Sequence, residues 1–426
     1  MSLLFQKKII TNLFLLFFSF IVSFLFVEFF LSGFLSYKKT NSDILNQKIF
    51  DEYIKKNDIS FDARTRLEIY QSLKDKGDYF PSLSPSIKLN NLISLSNISN
   101  SNIIHCNETG IYDIWKSDRF GFRNDNIFWD QENLDIVLLG DSFAAGACVE
   151  NHQNIAGNLI KNHNYKVVNL AMSGSGPLDQ LAIFREYTKN LNSKFFVLVF
   201  YEGNDFKSLN IKQAQNEILF RYLNNQNFSQ NLIRKQNLLD KELKTHISII
   251  EKDKKNSNLL NYKGNKNLFD HFSFKGVFKF NTIRTILSEI FIDKFPYMTE
   301  NRLFTNNKYK KDLFIKVIKI LNNEVQKKNS KLIVVYMPAM ERYGEKYNKS
   351  SKLRLNKLNY IYDTVIGILK KENVSYVDLR NNLFEKNNFI DNKLFPLNLA
   401  GFGHLSSNGY LAVSNSINEY LNQISK

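Results

Sequence analysis

The sequence predicts an α/β protein. Three αβα layers are expected around a doubly wound parallel sheet of about five strands in the order 2-1-3-4-5, with an N-terminal transmembrane helix and a helical insertion. Three observations carry that prediction. Short apolar runs recur from Asp135 onward, each separated from the next by a stretch of helical periodicity. The first run breaks off abruptly on Gly140-Asp141-Ser142, and residues 9–35 are almost continuously apolar.

The apolar stretch Ile9 to Leu35 exceeds the roughly 20 residues a helix needs to cross a bilayer. Its length, and the poor small-x-small site in Leu31-Ser-Gly-Phe-Leu35, argue for a retained anchor over a cleaved signal peptide. Lys7 and Lys8 on one side face Lys38 and Lys39 on the other, so charge barely sets the orientation. Glu28 lies inside the span and is expected to reach the interface. One span ahead of a large soluble domain usually exports that domain. The expected location is therefore the inner or cytoplasmic membrane, single-pass, with the rest of the chain on the periplasmic or extracellular side.

Residues 1–40 form the anchor, and 41–117 read as a membrane-proximal segment, first helical and then irregular. Pro81 and Pro85 make Tyr79 to Lys88 a candidate linker. Residues 118–426 form the main domain. Its first strand is Ile136–Leu139, followed by a helix near 151–163 and a second strand over Lys166–Leu170. A helix near 178–191 leads to the third strand, Phe195–Phe200. The periodic sets Leu313, Val317, Leu321, Val325 and Leu355, Leu358, Tyr362, Val365, Leu369 precede two more strands, Leu332–Tyr336 and Val374–Val377. Such alternation, with right-handed crossovers, gives a flavodoxin-like sheet covered on both faces. Between the third and fourth strands, residues 206–308 are too long for a plain connection and read as a cap or a helical appendage. Leu232, Leu239, Leu243, Ile247 and Ile250 give part of it a helical face.

With 43% hydrophobic and 23% charged residues the chain is globular, not disordered. A net charge of +16 invites a nucleic-acid reading, but the lysines are scattered among asparagines and no motif gathers them. Nucleic acid is therefore not an expected partner, whereas lipid headgroups and acidic glycans suit the charge. Cys106 and Cys148 would be buried thiols in a cytosolic protein and one disulfide in an exported one. The bridge is favoured, because Cys148 lies just past the serine turn and Cys106 in the segment leading into the first strand. Neither cysteines nor histidines show zinc-ligand spacing, and no Gly-x-x-x-x-Gly-Lys phosphate loop follows a strand. No cofactor or metal is expected.

In open α/β sheets ligands bind beyond the carboxyl ends of the strands. Past the first three strands come Gly140-Asp141-Ser142, Ala171-Met-Ser-Gly174-Ser-Gly176 and Glu202-Gly203-Asn204-Asp205. They offer a hydroxyl, a glycine-rich turn and a side-chain amide, which are the parts of acyl transfer: a nucleophile and donors for a developing oxyanion. A serine hydroxyl needs a base, and of six histidines His404 is best placed, past the fifth strand and just before the terminal helix.

Gly-Asp-Ser-Phe, the glycine after the second strand, Gly-Asn-Asp after the third and the late Gly-His-Leu resemble the blocks of the SGNH/GDSL hydrolase superfamily. The likeness extends to membrane-anchored bacterial members with a cysteine before the first strand and Ala147-Cys148-Val149 after the serine turn. The resemblance implies Ser142 as nucleophile, His404 as base, and an oxyanion hole from Ser142, Gly174 and Asn204. Asp141 and Asp205 would brace the loops. Two positions depart from the pattern. Phe402 and Gly401 stand where an aspartate usually orients the histidine, which leaves a backbone carbonyl, another acid such as Asp391 or Asp378, or no orienting group at all; Glu202 stands where glycine is usual, a minor departure with Gly203 next to it to serve instead. The implied function is a membrane-anchored serine ester hydrolase removing acyl groups, acetyl foremost, from an acylated envelope glycan or a lipid-linked saccharide (glycolipid). Two alternatives stand beside it: an O-acyltransferase on the same scaffold acylating a cell-surface polysaccharide, and a catalytically silent binding or assembly protein that has lost its acid.

Overall fold

The structure is a computed structural model that describes residues 2–56, 60–209, 216–252, 277, 283, 305–343, 352–386, 394 and 403–425. It divides into two compact units, residues 1–59 with 263–307, and residues 60–262 with 308–426.

In the first unit, one helix runs Ser2–Lys56, and its Gln6–Ser36 portion is long and apolar enough to cross a membrane. Glu28 departs from expectation. Its side chain is fully buried and accepts a hydrogen bond of 2.6 Å from the Ile283 backbone N–H, so the carboxylate turns to protein instead of reaching outward.

The second unit is built on five parallel strands: β1 (Leu134–Gly140), β2 (Val167–Asn169), β3 (Ser193–Tyr201), β4 (Lys331–Met337) and β5 (Ser375–Asp378). Across the sheet they lie in the order β5-β4-β3-β1-β2. Registers run from Leu134 opposite Ser193 to Gly140 opposite Val199 between β1 and β3, and from Phe195 opposite Lys331 to Tyr201 opposite Met337 between β3 and β4. The period of two divides the strand residues between the faces. Val137, Leu139, Phe196, Leu198, Val334 and Tyr336 pack on helices Pro177–Tyr187, Thr305–Gln326 and Lys352–Lys371. Ile136, Leu138, Val197, Val199, Ile333 and Val335 pack on helices Ile155–His163 and Ser407–Ile424. Both faces are dry, which is why β1 and β3 read as unbroken apolar runs.

Residues 79–88, expected as a linker, are folded instead. Tyr79–Pro81 pairs in parallel with Asn102–Ile104, which pairs antiparallel with Ile114–Lys116. Proline is tolerated in a strand this short because it sits at the end of an edge. Residues 60–117 thus belong to the same unit as the main sheet. Asp118 ties the following turn together, accepting from the Phe120 and Phe122 N–H groups, the Asn124 amide and the Trp129 indole at 2.7–2.9 Å.

Two helices of the insertion pack onto this unit. Glu217–Asn224 places Leu219, Tyr222 and Leu223 in the core beside Leu181. Gln236–Lys252 buries Leu239, Leu243, Ile247 and Ile250 against Leu67, Ile69, Tyr70 and Ile104 of the upstream segment. At roughly 1.5–3 kcal/mol per buried aliphatic side chain, that stripe contributes enough to hold helix and segment together. The Gln236–Lys252 helix therefore clamps the segment that precedes the sheet.

Candidate active site

The chain turns sharply at the end of β1. Gly140 has φ +149°, and a Cβ there would come within 2.6 Å of the Ala144 Cβ and 2.9 Å of the Val199 carbonyl, so only glycine lets the serine turn sit this close to β3. Asp141 caps the short helix Ser142–Ala145, its Oδ1 accepting from the Phe143 N–H at 3.0 Å. Its Oδ2 accepts from the Asn204 side-chain amide at 2.9 Å, joining the loops after β1 and β3. An acceptor-only carboxylate fixes which end of that amide faces it. Asp205 accepts from the Tyr201 N–H at 2.8 Å, so it too braces a loop. Burial raises the carboxyls of both Asp141 and Asp205 above the ordinary aspartate range, and for Asp205 the nearby Asp141 charge adds to it.

Across this turn stands His404. Its Nε2 lies 2.8 Å from the Ser142 Oγ, although 262 positions separate them in sequence. The ring packs on Phe143 at a centroid distance of 4.8 Å, and Phe143 stacks in turn on Tyr201 at 4.0 Å. On the other side of the imidazole, Nδ1 lies 2.8 Å from Glu108 Oε1, and Glu108 Oε2 accepts from the His404 backbone N–H at 2.6 Å. One carboxylate therefore holds both the ring and the backbone of the histidine. Gly403 makes this possible: its φ is +102°, and a Cβ would meet Glu108 Oε2 at 2.8 Å.

Burial alone would lower the His404 pKa, but the charge and hydrogen bond of Glu108, with the charge of Asp141, outweigh it and hold the imidazole above its ordinary value. Glu108 moves the opposite way. Burial pushes it up, yet the His404 charge and its two hydrogen bonds bring it below the ordinary glutamate range.

Sequence reasoning placed the orienting acid elsewhere. Asp378 ends β5 and accepts from the Tyr362 hydroxyl at 2.6 Å and the Asn381 amide at 2.8 Å; the carboxylate on His404 is that of Glu108 instead. Asp391 lies outside the described residues, as do Gly401 and Phe402. Glu108 lies neither near the histidine in sequence nor past a strand of the main sheet. A signal existed: Cys106 and Cys148 are bridged, with Cα atoms 5.4 Å apart. A bridge from Cys106 to the residue six past Ser142 brings any acid beside Cys106 to the serine turn.

Glu202, in the position where glycine was anticipated, is a hub. Fully buried, it accepts from the Tyr336 hydroxyl at 2.5 Å, the Ala339 N–H at 2.8 Å and the Arg342 guanidinium at 2.5 and 2.7 Å. It pins the loop after β4 beside Tyr201. Gly174, with φ +83°, is exposed at the turn after β2, and its N–H and that of Ser142 have no intramolecular acceptor among the described residues.

Two groups of metal-type donors approach within 4.8 Å, His105 with Cys106 and Asp113, and Glu108 with Cys148 and His404. Both sulfurs are committed to the disulfide, which leaves neither group a thiolate. The arrangement as it stands can pass a proton from Ser142 to His404 while Glu108 holds the resulting imidazolium.

No protein-family model and no curated protein matches the chain. Among solved structures it is similar to a G-D-S-L family protein from Desulfitobacterium hafniense DCB-2, at 12% identity and TM-score 0.34 over 68% of this chain and 99% of the other. It is also similar to the acetyl xylan esterase AlAXEase, at 12% identity and TM-score 0.35 over 68% and 100%. A third similar structure is TesA, at 8% identity and TM-score 0.33 over 67% and 97%. Likenesses this distant transfer neither activity nor substrate to the chain.

Proposed function

We propose that the protein is a serine ester hydrolase of the SGNH type, anchored by its N-terminal helix and removing acyl groups from an envelope glycan or lipid-linked saccharide. The observation that carries the reading is the pair of 2.8 Å contacts that place His404 between Ser142 and Glu108. In this reading Ser142 Oγ attacks the ester carbonyl carbon as its proton passes to His404 Nε2. The carbonyl oxygen, now negative, receives the Ser142 and Gly174 N–H groups and the second N–H of the Asn204 amide. Removing one such donor typically lowers kcat by 10²–10³. Collapse of the intermediate breaks the bond to the alcohol, which leaves with the proton from His404. Water then repeats the sequence on the acyl-serine and returns Ser142.

Glu108 supports an active enzyme over a silent scaffold, since the acid absent at positions 401 and 402 has a counterpart in space. Acetyl is the preferred acyl group and the net charge of +16 favours an anionic saccharide or a membrane-bound one.

The test is labelling with a fluorophosphonate probe and release of p-nitrophenol from p-nitrophenyl acetate by the wild type and Ser142→Ala. Labelling and release confined to the wild type support the reading, and a folded wild type that does neither overturns it. Adding oligosaccharide to the same assay separates hydrolysis from transfer, because acetyl gained by the sugar at the expense of acetate would mark an O-acyltransferase.

A further inference from the structure

A second histidine stands behind the site. His105 is 4% exposed, and its Nε2 lies 2.7 Å from the Ser173 hydroxyl, immediately before Gly174. Its Nδ1 faces Asp113 Oδ2 at 3.4 Å. Serine, histidine and aspartate in this array invite the reading of a second nucleophile. The charge of Asp113 argues against that, because Arg123 already takes it with two hydrogen bonds of 3.0 Å. Burial outweighs the hydrogen bond and the charge of Asp113, which Arg123 shares, and lowers the His105 pKa below its ordinary value. His105 is therefore a fixed neutral ring, suited to hold a hydroxyl in place and poorly suited to activate one.

What it holds is the turn carrying Gly174. That turn is tied to β1 on one side, where the Met172 N–H and the Ser175 hydroxyl both donate to the Gly140 carbonyl, at 3.1 and 2.7 Å. The Ser173–His105 contact ties it on the other. The N–H of Gly174 belongs to the planar peptide whose carbonyl is that of Ser173, so anchoring Ser173 leaves little freedom in where this N–H points. Behind His105 the network continues to the nucleophile's own turn: Arg123 also donates to the Gly146 and Val149 carbonyls at 2.6 and 2.7 Å.

We propose that Ser173 and His105 are positioning residues for the oxyanion site, aiming the Gly174 N–H through the Ser173–Gly174 peptide while Arg123 locks the same network to the Ser142 turn. The proposal rests on the reading of Gly174 as an oxyanion donor. Its mark is an effect on the transition state that leaves ground-state binding alone.

The experiment uses the full chain with Ser173→Ala, Ser173→Thr and His105→Gln, p-nitrophenyl acetate as substrate and phenylboronic acid as a tetrahedral mimic. Ser173 is partly exposed, so Ser173→Ala keeps the native circular dichroism spectrum and loses no more thermal stability than one broken hydrogen bond to the buried His105 accounts for. Expected for Ser173→Ala is a fall in kcat of about 10–100-fold, somewhat less than loss of a whole donor, with KM within about twofold and boronate affinity falling in step with kcat. Ser173→Thr and His105→Gln, which keep the hydroxyl and an acceptor, retain most of the activity. Wild-type kcat and boronate affinity in Ser173→Ala, with Ser142→Ala inactive, overturn the relay and leave the esterase reading standing. Full activity in Ser142→Ala overturns both.

Discussion

Replacing Glu108 by glutamine separates the charge of the third residue from its shape. Glu108 accepts two hydrogen bonds from His404, one from the ring at 2.8 Å and one from the backbone at 2.6 Å. Glutamine offers one acceptor and one donor, so one of the two N–H groups must face another N–H. Hydrogen bonds to charged groups contribute about 1.5–3 kcal/mol each, and loss of the orienting acid in a Ser-His-Asp triad lowers kcat by about 10⁴. Loss of one bond and of the charge thus predicts a fall in kcat of roughly 10²–10⁴, with KM little changed because Glu108 touches the histidine and not the ester. The pH profile gives an independent reading. In the proposed mechanism His404 acts as a base only when neutral, and Glu108 raises its pKa, so the rising limb of kcat/KM in the wild type is expected above the ordinary histidine value. In Glu108→Gln that limb moves to lower pH. Initial rates on p-nitrophenyl acetate between pH 5 and 9, with Asp378→Asn as the matched control, measure both effects. A Glu108→Gln enzyme with wild-type kcat and an unmoved limb would refute the assignment of the acid.

Stability follows the same pair. Its contribution is present where Glu108 is ionised and His404 protonated; it is lost as pH falls through the lowered Glu108 pKa and as pH rises through the raised His404 pKa. Urea midpoints across that range should show the gap between wild type and Glu108→Gln narrowing at both ends. The disulfide closes a loop of 42 residues, for which the chain-entropy model gives about 4 kcal/mol. Cys106→Ser with Cys148→Ser should lose up to that amount in chemical denaturation and lose activity beyond it, since Glu108 sits two residues from the bridge. Gly403→Ala drives a Cβ to 2.8 Å from the Glu108 carboxylate at a strained φ. Its kcat should drop about tenfold or more while the circular dichroism spectrum stays native. Arg342→Met strands the buried Glu202 and should lower unfolding free energy by about 3–5 kcal/mol in urea titration.

The parallel sheet was legible because its strands are dry on both faces, and runs such as Val197-Leu-Val-Phe200 are what that environment selects. Ser142 was legible because its glycine turn ends a strand, and His404 because glycines set it in a loop just before the terminal helix. Glu108 carried no such mark. It lies in an irregular loop and its partner is 296 positions away, so its one mark is its place two residues past Cys106. The fold of residues 79–116 was hidden for a related reason. Its strands are two or three residues long and draw their stability from Leu239, Leu243 and Ile247, on a helix more than 100 positions downstream. The role of Glu202 was hidden because its partners, Tyr336 and Arg342, come from the next strand and loop.

The clamp of the Gln236–Lys252 helix on the upstream segment bears on where the protein can be cut. A fragment beginning at residue 118 looks self-sufficient by its alternation of strands and helices, yet it would leave behind the loop that presents Glu108 and one half of the covalent strap. Trimming the middle of the chain at the clamp would undermine the same loop from its other side, by stripping the apolar support from Leu67 and Tyr70. The minimal working piece is thus set by whatever steadies one carboxylate, and it begins well before the sheet does in the sequence.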